Sequence, residues 1–238
     1  MVTPFTQEGE VDYAALRSLI DYQLANGADF FCILATTGET PTLTPMERHR
    51  IKDTVVEVVN GRVPILMGCG GNDTASVVRE LKEGDFFGID GVLSVCPYYN
   101  KPSQEGLYQH FKTIAASTHL PVVLYNVPGR TGVNMRADTT VRLAHDCHNI
   151  VGIKEASGLM PQVDDVGREA CQHLCRCLAA DASAAVVVLL EELGVVERPV
   201  FGDGVAHKHH LRELAAGDDA FVVGPIAFEA TPIPLCEA

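Results

Sequence analysis

The sequence predicts an α/β fold of serial strand–helix units, a (β/α)8 barrel. Three observations predict it. Short apolar runs recur at Met1–Phe5, Phe30–Leu34, Val63–Met67, Gly91–Cys96, Pro121–Tyr125 and Ile150–Ile153. Their starts lie about 30 residues apart, the length of one strand plus a crossover helix. Each run is mostly apolar without alternation, as in parallel strands buried on both faces. The chain has 238 residues, near the roughly 250 of an eight-unit barrel. An open doubly wound sheet is the rival. The equal units, and the lack of a phosphate-binding glycine turn after the first run, favour the barrel.

The segments between the runs read as helices. In Asp12–Asn26, Leu16, Leu19, Ile20 and Leu24 share one helical face, and Gly27 closes the helix. Thr44-Pro45-Met46-Glu47 is a capping box with proline at the first helical position. Val55, Val56 and Val59 continue that helix to the stop at Asn60-Gly61. Gln104–Ser117 and Asp138–His145 read as further helices. Six such units imply right-handed crossovers.

Residues 1–165 thus hold six units, and 166–238 form a divergent tail. There the last two units have no clear place. Ala184–Leu190 fits a strand or part of a helix, and Phe221–Val223 fits a strand. Cys171, Cys175 and Cys177 cluster with His173, but the spacing matches no common zinc site and no second ligand pair answers it. His207-Lys208-His209-His210, after Gly202-Asp203-Gly204, reads as a solvated loop.

Composition excludes several classes. The chain is 47% hydrophobic and 21% charged, the mix of a soluble globular domain. Lysine and arginine number 18 against 31 carboxylates, a net charge of −13. Such a charge disfavours a nucleic-acid partner. Eight cysteines are too few for a disulfide scaffold and read as reduced thiols. No signal peptide opens the sequence, and no apolar run reaches the ~18 residues of a membrane span. The expectation is a cytoplasmic protein without a membrane partner.

In parallel α/β folds the chemistry sits where strands end. Past the runs lie Thr36-Thr37-Gly38-Glu39, Gly68-Cys69-Gly70-Gly71-Asn72, Pro97-Tyr98-Tyr99-Asn100, Tyr125-Asn126-Val127-Pro128-Gly129-Arg130 and Lys154-Glu155. The glycine-rich stretch lacks the Lys-Ser/Thr of a phosphate loop. The six lysines are at 52, 82, 101, 112, 154 and 208, and Lys154 alone ends a buried strand. Lost hydration in a barrel mouth favours the neutral amine, which attacks a carbonyl to form a Schiff base. The plainer alternative is a lysine that snorkels to solvent or pairs with Glu155. Tyr125 and Thr36 suit proton relay; a core tyrosine with a satisfied hydroxyl is the alternative for Tyr125. Arg130, fixed after Pro128-Gly129, suits two parallel hydrogen bonds to a carboxylate, or is a surface arginine.

Four stretches carry a family resemblance: Thr36-Thr37-Gly38-Glu39, Pro97 through Gly106, Tyr125 through Thr131, and Gly152-Ile153-Lys154-Glu155-Ala156. They resemble the dihydrodipicolinate synthase family of class I pyruvate-dependent lyases and aldolases, from Met1 to about Asp165. The resemblance implies a TIM barrel, usually a tetramer of dimers, and condensation of pyruvate with L-aspartate-4-semialdehyde in lysine and diaminopimelate biosynthesis. It implies that Lys154 forms the Schiff base and Tyr125 moves its protons. Thr36 would link Tyr125 to Tyr99, with Tyr99 reaching in from a neighbouring subunit. Thr37 would hold the pyruvate carboxylate and Arg130 the semialdehyde. Arg130 also separates the chain from similar sugar-acid aldolases. No metal or organic cofactor is implied.

The departures are specific. Ala35 stands where the family usually has glycine, and the chain starts within the family's first strand. Pro45 and Arg48 replace the histidines of the lysine-inhibition pocket of some members. In the tail only echoes of the family remain: Ala180–Ser183 or Gly217–Ala220, and Phe228–Pro234. The expected cause is a reading frame lost near residue 166, by a gene lesion or a sequencing error. An inactive or unstable relic and a related sugar-acid aldolase are the competing readings.

Overall fold

The computed structural model describes residues 1–167 and the strand Val187–Leu190. Six parallel strands pair in sequence order: β1 (Phe31–Ile33), β2 (Ile65–Gly68), β3 (Gly91–Val95), β4 (Val122–Asn126), β5 (Ile150–Glu155) and β6 (Val187–Leu190). The helices are α1 (Tyr13–Ala25), α2 (Pro45–Val59), α3 (Thr74–Glu83), α4 (Gln104–Ala115), the single turn α5 (Pro128–Thr131) and α6 (Ala137–Asp146). Five of the six expected strands are present, and within Ala184–Leu190 the strand alternative holds. The cysteine–histidine cluster, the 207–210 patch and the tail echoes lie outside the described residues.

The first expected strand, Met1–Phe5, is not one. Pro4 has no N–H for a ladder, and its carbonyl accepts from the Asp12 amide. Thr6 and Gly9 close a local turn, and Phe5 makes an isolated antiparallel bridge to Val11. Backbone groups in this stretch are thus engaged locally. Only the Met1 ammonium reaches β1, donating to the Cys32 carbonyl at 2.9 Å.

Side chains alternate along each strand and sort into two layers. Outward residues meet the helices. Phe31, Ile33, Ile65 and Met67 pack on Leu16 and Ile20 of α1 and on Ile51 and Val55 of α2. Val92, Val122, Leu124, Ile150 and Ile153 pack on Leu107, Phe111 and Ile114 of α4 and Leu143 of α6. Each such side chain stabilises the fold by roughly 1.5–3 kcal/mol through burial. Inward residues form a third cluster around Leu93, Val123 and Tyr125, which Cys32, Leu66 and Val151 join. The Met1 ammonium, held on β1, feels the charge of Lys154 on β5. Strands four places apart therefore face one interior, so the sheet is rolled.

Local signals explain the helix ends. Thr44 and Glu47 make the reciprocal capping bonds, and Asn60 turns left-handed at φ 48° to end α2. Helix α3, which the sequence reading did not single out, is capped by the Asp73 side chain and buries only Val77 and Leu81.

Candidate active site

Tyr125 and Lys154 are direct partners across β4 and β5, so their side chains share a face. The Lys154 Nζ lies 4.5 Å from the Tyr125 ring centroid, within cation–π reach. Tyr125 is 2% exposed and Lys154 is half-buried. Their face is the interior one, where Tyr125 packs with Leu93 and Val123.

A one-residue irregularity produces this pairing. Val122 pairs with Ile150, but Val123 pairs with Gly152, so Val151 is an extra residue in β5. Ile150 and Ile153 consequently both face the helices, while Val151 packs toward the interior. In an unbroken register Tyr125 would oppose Ile153, and Lys154 would oppose Asn126 on the outer face. A one-residue shift inverts every side chain of a strand, and bulges re-aim side chains in this way.

The next residue pair, Asn126 and Glu155, turns to the other face and is buried. Asn126 Nδ2 donates to the Glu155 carboxylate at 3.0 and 3.1 Å. Gln162 Nε2 and the Ser157 amide donate to it at 2.9 Å each. Asn126 Oδ1 accepts from the Met135 amide at 2.9 Å. Glu155 thus bonds behind the sheet rather than pairing with Lys154. The missed signal was its place: next in chain to Lys154, it must point the opposite way. Beside this network, burial first and the Glu155 charge second push the Cys96 thiol up to about 12.

The loop after β1 holds Thr36 and Thr37 in a 3-10 turn, Thr36–Gly38. Two hydroxyls fix this turn: Thr3 donates to the Gly38 carbonyl at 2.8 Å and Thr40 to the Ala35 carbonyl at 3.1 Å. Gly68 lets it approach, since a Cβ there would lie 2.0 Å from the Leu34 carbonyl oxygen. The glycine run after β2 therefore serves close packing of strand ends. Thr37 is half-buried. The Thr36 side chain is exposed and makes no hydrogen bond among the described residues. The structure therefore places Thr36 at the rim without the expected link to Tyr125.

Tyr99 is 90% exposed, after β3, and Arg130 is exposed in α5. Leu34, Glu39, Tyr99 and Lys101 have φ of 50°, 52°, 72° and 45°, and all follow β1 or β3. Such strain at non-glycine residues concentrates at functional rims. At the same mouth, burial pushes the Met1 ammonium below its usual range; Cys32 opposes this and Lys154 adds to it. Among the described residues, the one cluster with metal-binding spacing is His49, Asp53 and Asp85, exposed and away from this mouth. Lys52 already occupies it, bonded to both carboxylates. No helix of the described residues is long and apolar enough to cross a membrane.

Comparison with known proteins agrees with this geometry. The profile of the Dihydrodipicolinate synthetase family matches residues 1–222. The 4-hydroxy-tetrahydrodipicolinate synthase of Phocaeicola vulgatus is 54% identical over 196 residues, 82% of this chain and 66% of that protein. The Parabacteroides distasonis enzyme of the same name is 58% identical over 166 residues, 70% of this chain and 56% of that one. The solved dihydrodipicolinate synthase of Thermotoga maritima superposes with a TM-score of 0.70 at 40% identity, over 79% of this chain and 68% of that one. A monomeric dihydrodipicolinate synthase variant gives 0.71 at 42% identity, over 79% and 60%. The chain spans 55% to 66% of the length of four curated relatives it matches. A parallel α/β sheet of this order, a profile match across most of the chain and identities above half place the chain in the Dihydrodipicolinate synthetase family.

Proposed function

We propose that the chain condenses pyruvate with L-aspartate-4-semialdehyde to 4-hydroxy-tetrahydrodipicolinate, a step of lysine and diaminopimelate biosynthesis. The observation that carries this reading is the inward pairing of Lys154 with Tyr125 at the end of the β4–β5 ladder.

In this reading the Lys154 amine attacks the pyruvate ketone and the carbinolamine loses water to give the imine. Tyr125 supplies and recovers the protons of that exchange. Loss of a methyl proton turns the imine into an enamine. The enamine carbon attacks the semialdehyde aldehyde, and the aldehyde oxygen becomes a hydroxyl. The substrate amine then attacks the imine carbon, closes the ring and expels Lys154 as a free amine. Thr37 holds the pyruvate carboxylate from the turn after β1, and Arg130 the semialdehyde carboxylate with its two parallel donors. Thr36 relays protons between Tyr125 and Tyr99 from the turn after β1. The 90% exposure of Tyr99 suits its insertion into a neighbouring copy, in a homo-oligomer, dimer or tetramer. The reaction uses no metal or organic cofactor, in the cytoplasm. We assign residues 1–165 to the catalytic units and 166–238 to a divergent tail with a lost reading frame, which resequencing of the locus tests.

Incubation of the full chain with pyruvate and borohydride, followed by peptide mass mapping, tests the chemistry. The expected result is a reduced adduct on Lys154, with turnover of the semialdehyde in the absence of borohydride. An adduct without that turnover points to a sugar-acid aldolase. No adduct on Lys154 rejects both enzyme readings and leaves an inactive relic.

A further inference from the structure

We propose that Glu155, with Asn126, positions the Lys154 amine against Tyr125 from the opposite face of the sheet. The inference rests on the Schiff-base reading of Lys154. Each member of the outer pair directly follows a member of the inner pair in the chain. The strand tips that present the inner pair are therefore tied together behind them.

The tie is directional. Among the described residues the Glu155 carboxylate accepts from amides alone: Asn126 at 3.0 and 3.1 Å, Gln162 at 2.9 Å and the Ser157 backbone at 2.9 Å. Asn126 in turn accepts from the Met135 amide and donates to Asn134 Oδ1 at 2.7 Å. The ladder continues past the strand ends, with the Ala156 amide donating to the Asn126 carbonyl at 2.8 Å. Glu155 is 2% exposed and Asn126 fully buried, so an unmet donor or acceptor here is costly.

This network also selects the register. The extra residue Val151 makes β5 liable to a one-residue slip against β4. In the slipped pairing Asn126 opposes Lys154, and the carboxylate of Glu155 leaves the Asn126 amide. Apolar packing alone distinguishes these registers weakly, because Ile and Val fill either face. The Asn126–Glu155 bonds are made only in the register that turns Lys154 inward. Buried polar groups of this kind specify register at some cost in stability.

Glu155→Gln keeps the shape and replaces an acceptor by a donor among donors. The double variant Asn126→Asp/Glu155→Gln restores one donor–acceptor pair with its polarity reversed. The readouts are melting, the rate and pH profile of borohydride trapping with pyruvate, and the pyruvate concentration at half-maximal rate. The expected result for Glu155→Gln is trapping on Lys154 slowed roughly tenfold to a hundredfold, with a displaced pH profile and little change in half-saturating pyruvate. The double variant is expected to recover most of the rate.

Trapping by Glu155→Gln at the wild-type rate and pH profile overturns the proposal. If Glu155→Gln loses cooperative melting, the double variant decides: melting and trapping restored together support the proposal, and melting restored without trapping overturns it. Should the wild-type chain form no pyruvate adduct, the Schiff-base reading falls by itself. Positioning is then read from reductive methylation of Lys154 by formaldehyde and borohydride. A methylation pH profile that shifts in Glu155→Gln supports positioning, and an unchanged one rejects it.

Discussion

The two faces of the sheet are built to opposite specifications. The outer face is apolar and fully covered: Val122, Leu124 and Ile153 are at 0% exposure against α4 and α6. Its polar pair Asn126 and Glu155 bond to each other, whereas the buried Ser94 hydroxyl finds no partner among the described residues. The inner face holds a half-buried lysine against an aromatic ring, below a rim of left-handed residues and exposed threonine and tyrosine. Apolar packing against the helices is concentrated outside and the candidate site inside, although both faces belong to the same strands. Adjacent residues divide the labour, because a strand must send neighbours to opposite sides.

Substitutions in the mouth and in the helix layer should therefore separate activity from stability, with the Asn126–Glu155 pair as the link between them. Lys154→Ala is expected to give the largest effect. It abolishes the pyruvate adduct and lowers kcat by more than about 10^4-fold, with little change in melting. A variant that retains measurable borohydride-trapped adduct elsewhere in the mouth breaks the assignment. Tyr125→Phe keeps the ring and removes the hydroxyl. Steady-state kinetics should show kcat reduced roughly 10^2- to 10^3-fold with the fold intact; a loss under threefold excludes Tyr125 from proton transfer.

The helices behind the sheet, away from the Asn126–Glu155 pair, should answer in stability alone. His110 on α4 is buried, bonded to Thr74 Oγ1 at 2.8 Å, and burial pushes it down to about 4, with Asp73 opposing. Its folded value lies below the ordinary 6.5 or so of an unfolded chain. The unfolded state thus binds the extra proton between those values. Full stability is present above about pH 6.5 and falls as pH drops toward 4, by roughly 3 kcal/mol from this group. Urea midpoints across that range should flatten in His110→Gln. An equal slope in both proteins assigns the acid sensitivity to other groups. The smallest effect is Thr44→Ala, which removes one bond of the capping box. It should cost about 1 kcal/mol, read as a lower urea midpoint, with pyruvate trapping unaffected. A change in trapping shows that α2 couples to the mouth through the Thr40–Leu43 turn.

What was legible in sequence follows from how local each cause is. The strands near 31, 65, 91, 122 and 150 were visible because two-sided burial demands unbroken apolar runs. The α2 start was visible because its cap is made by residues three apart. Met1–Phe5 has the same composition as a strand, yet Pro4 and the turn to Val11 engage its backbone elsewhere. Helix α3 was hidden because only Val77 and Leu81 of its ten residues are buried. Lys154, Tyr125, Thr37 and Arg130 stand out as candidates by chain order and motif, whereas Asn134 and Gln162 carried no signal. Their role exists only once distant segments meet at Glu155.

The sequence by itself determined the strand–helix rhythm, the parallel class and which lysine ends a buried strand, since these depend on residue type and spacing along the chain. The tertiary structure decided which way that lysine points. Facing is a property of strand pairing, and the extra residue Val151 changes the pairing without changing the apolar pattern. Only after β5 has docked on β4 does Lys154 stand with Tyr125, and Glu155 with Asn126 behind them.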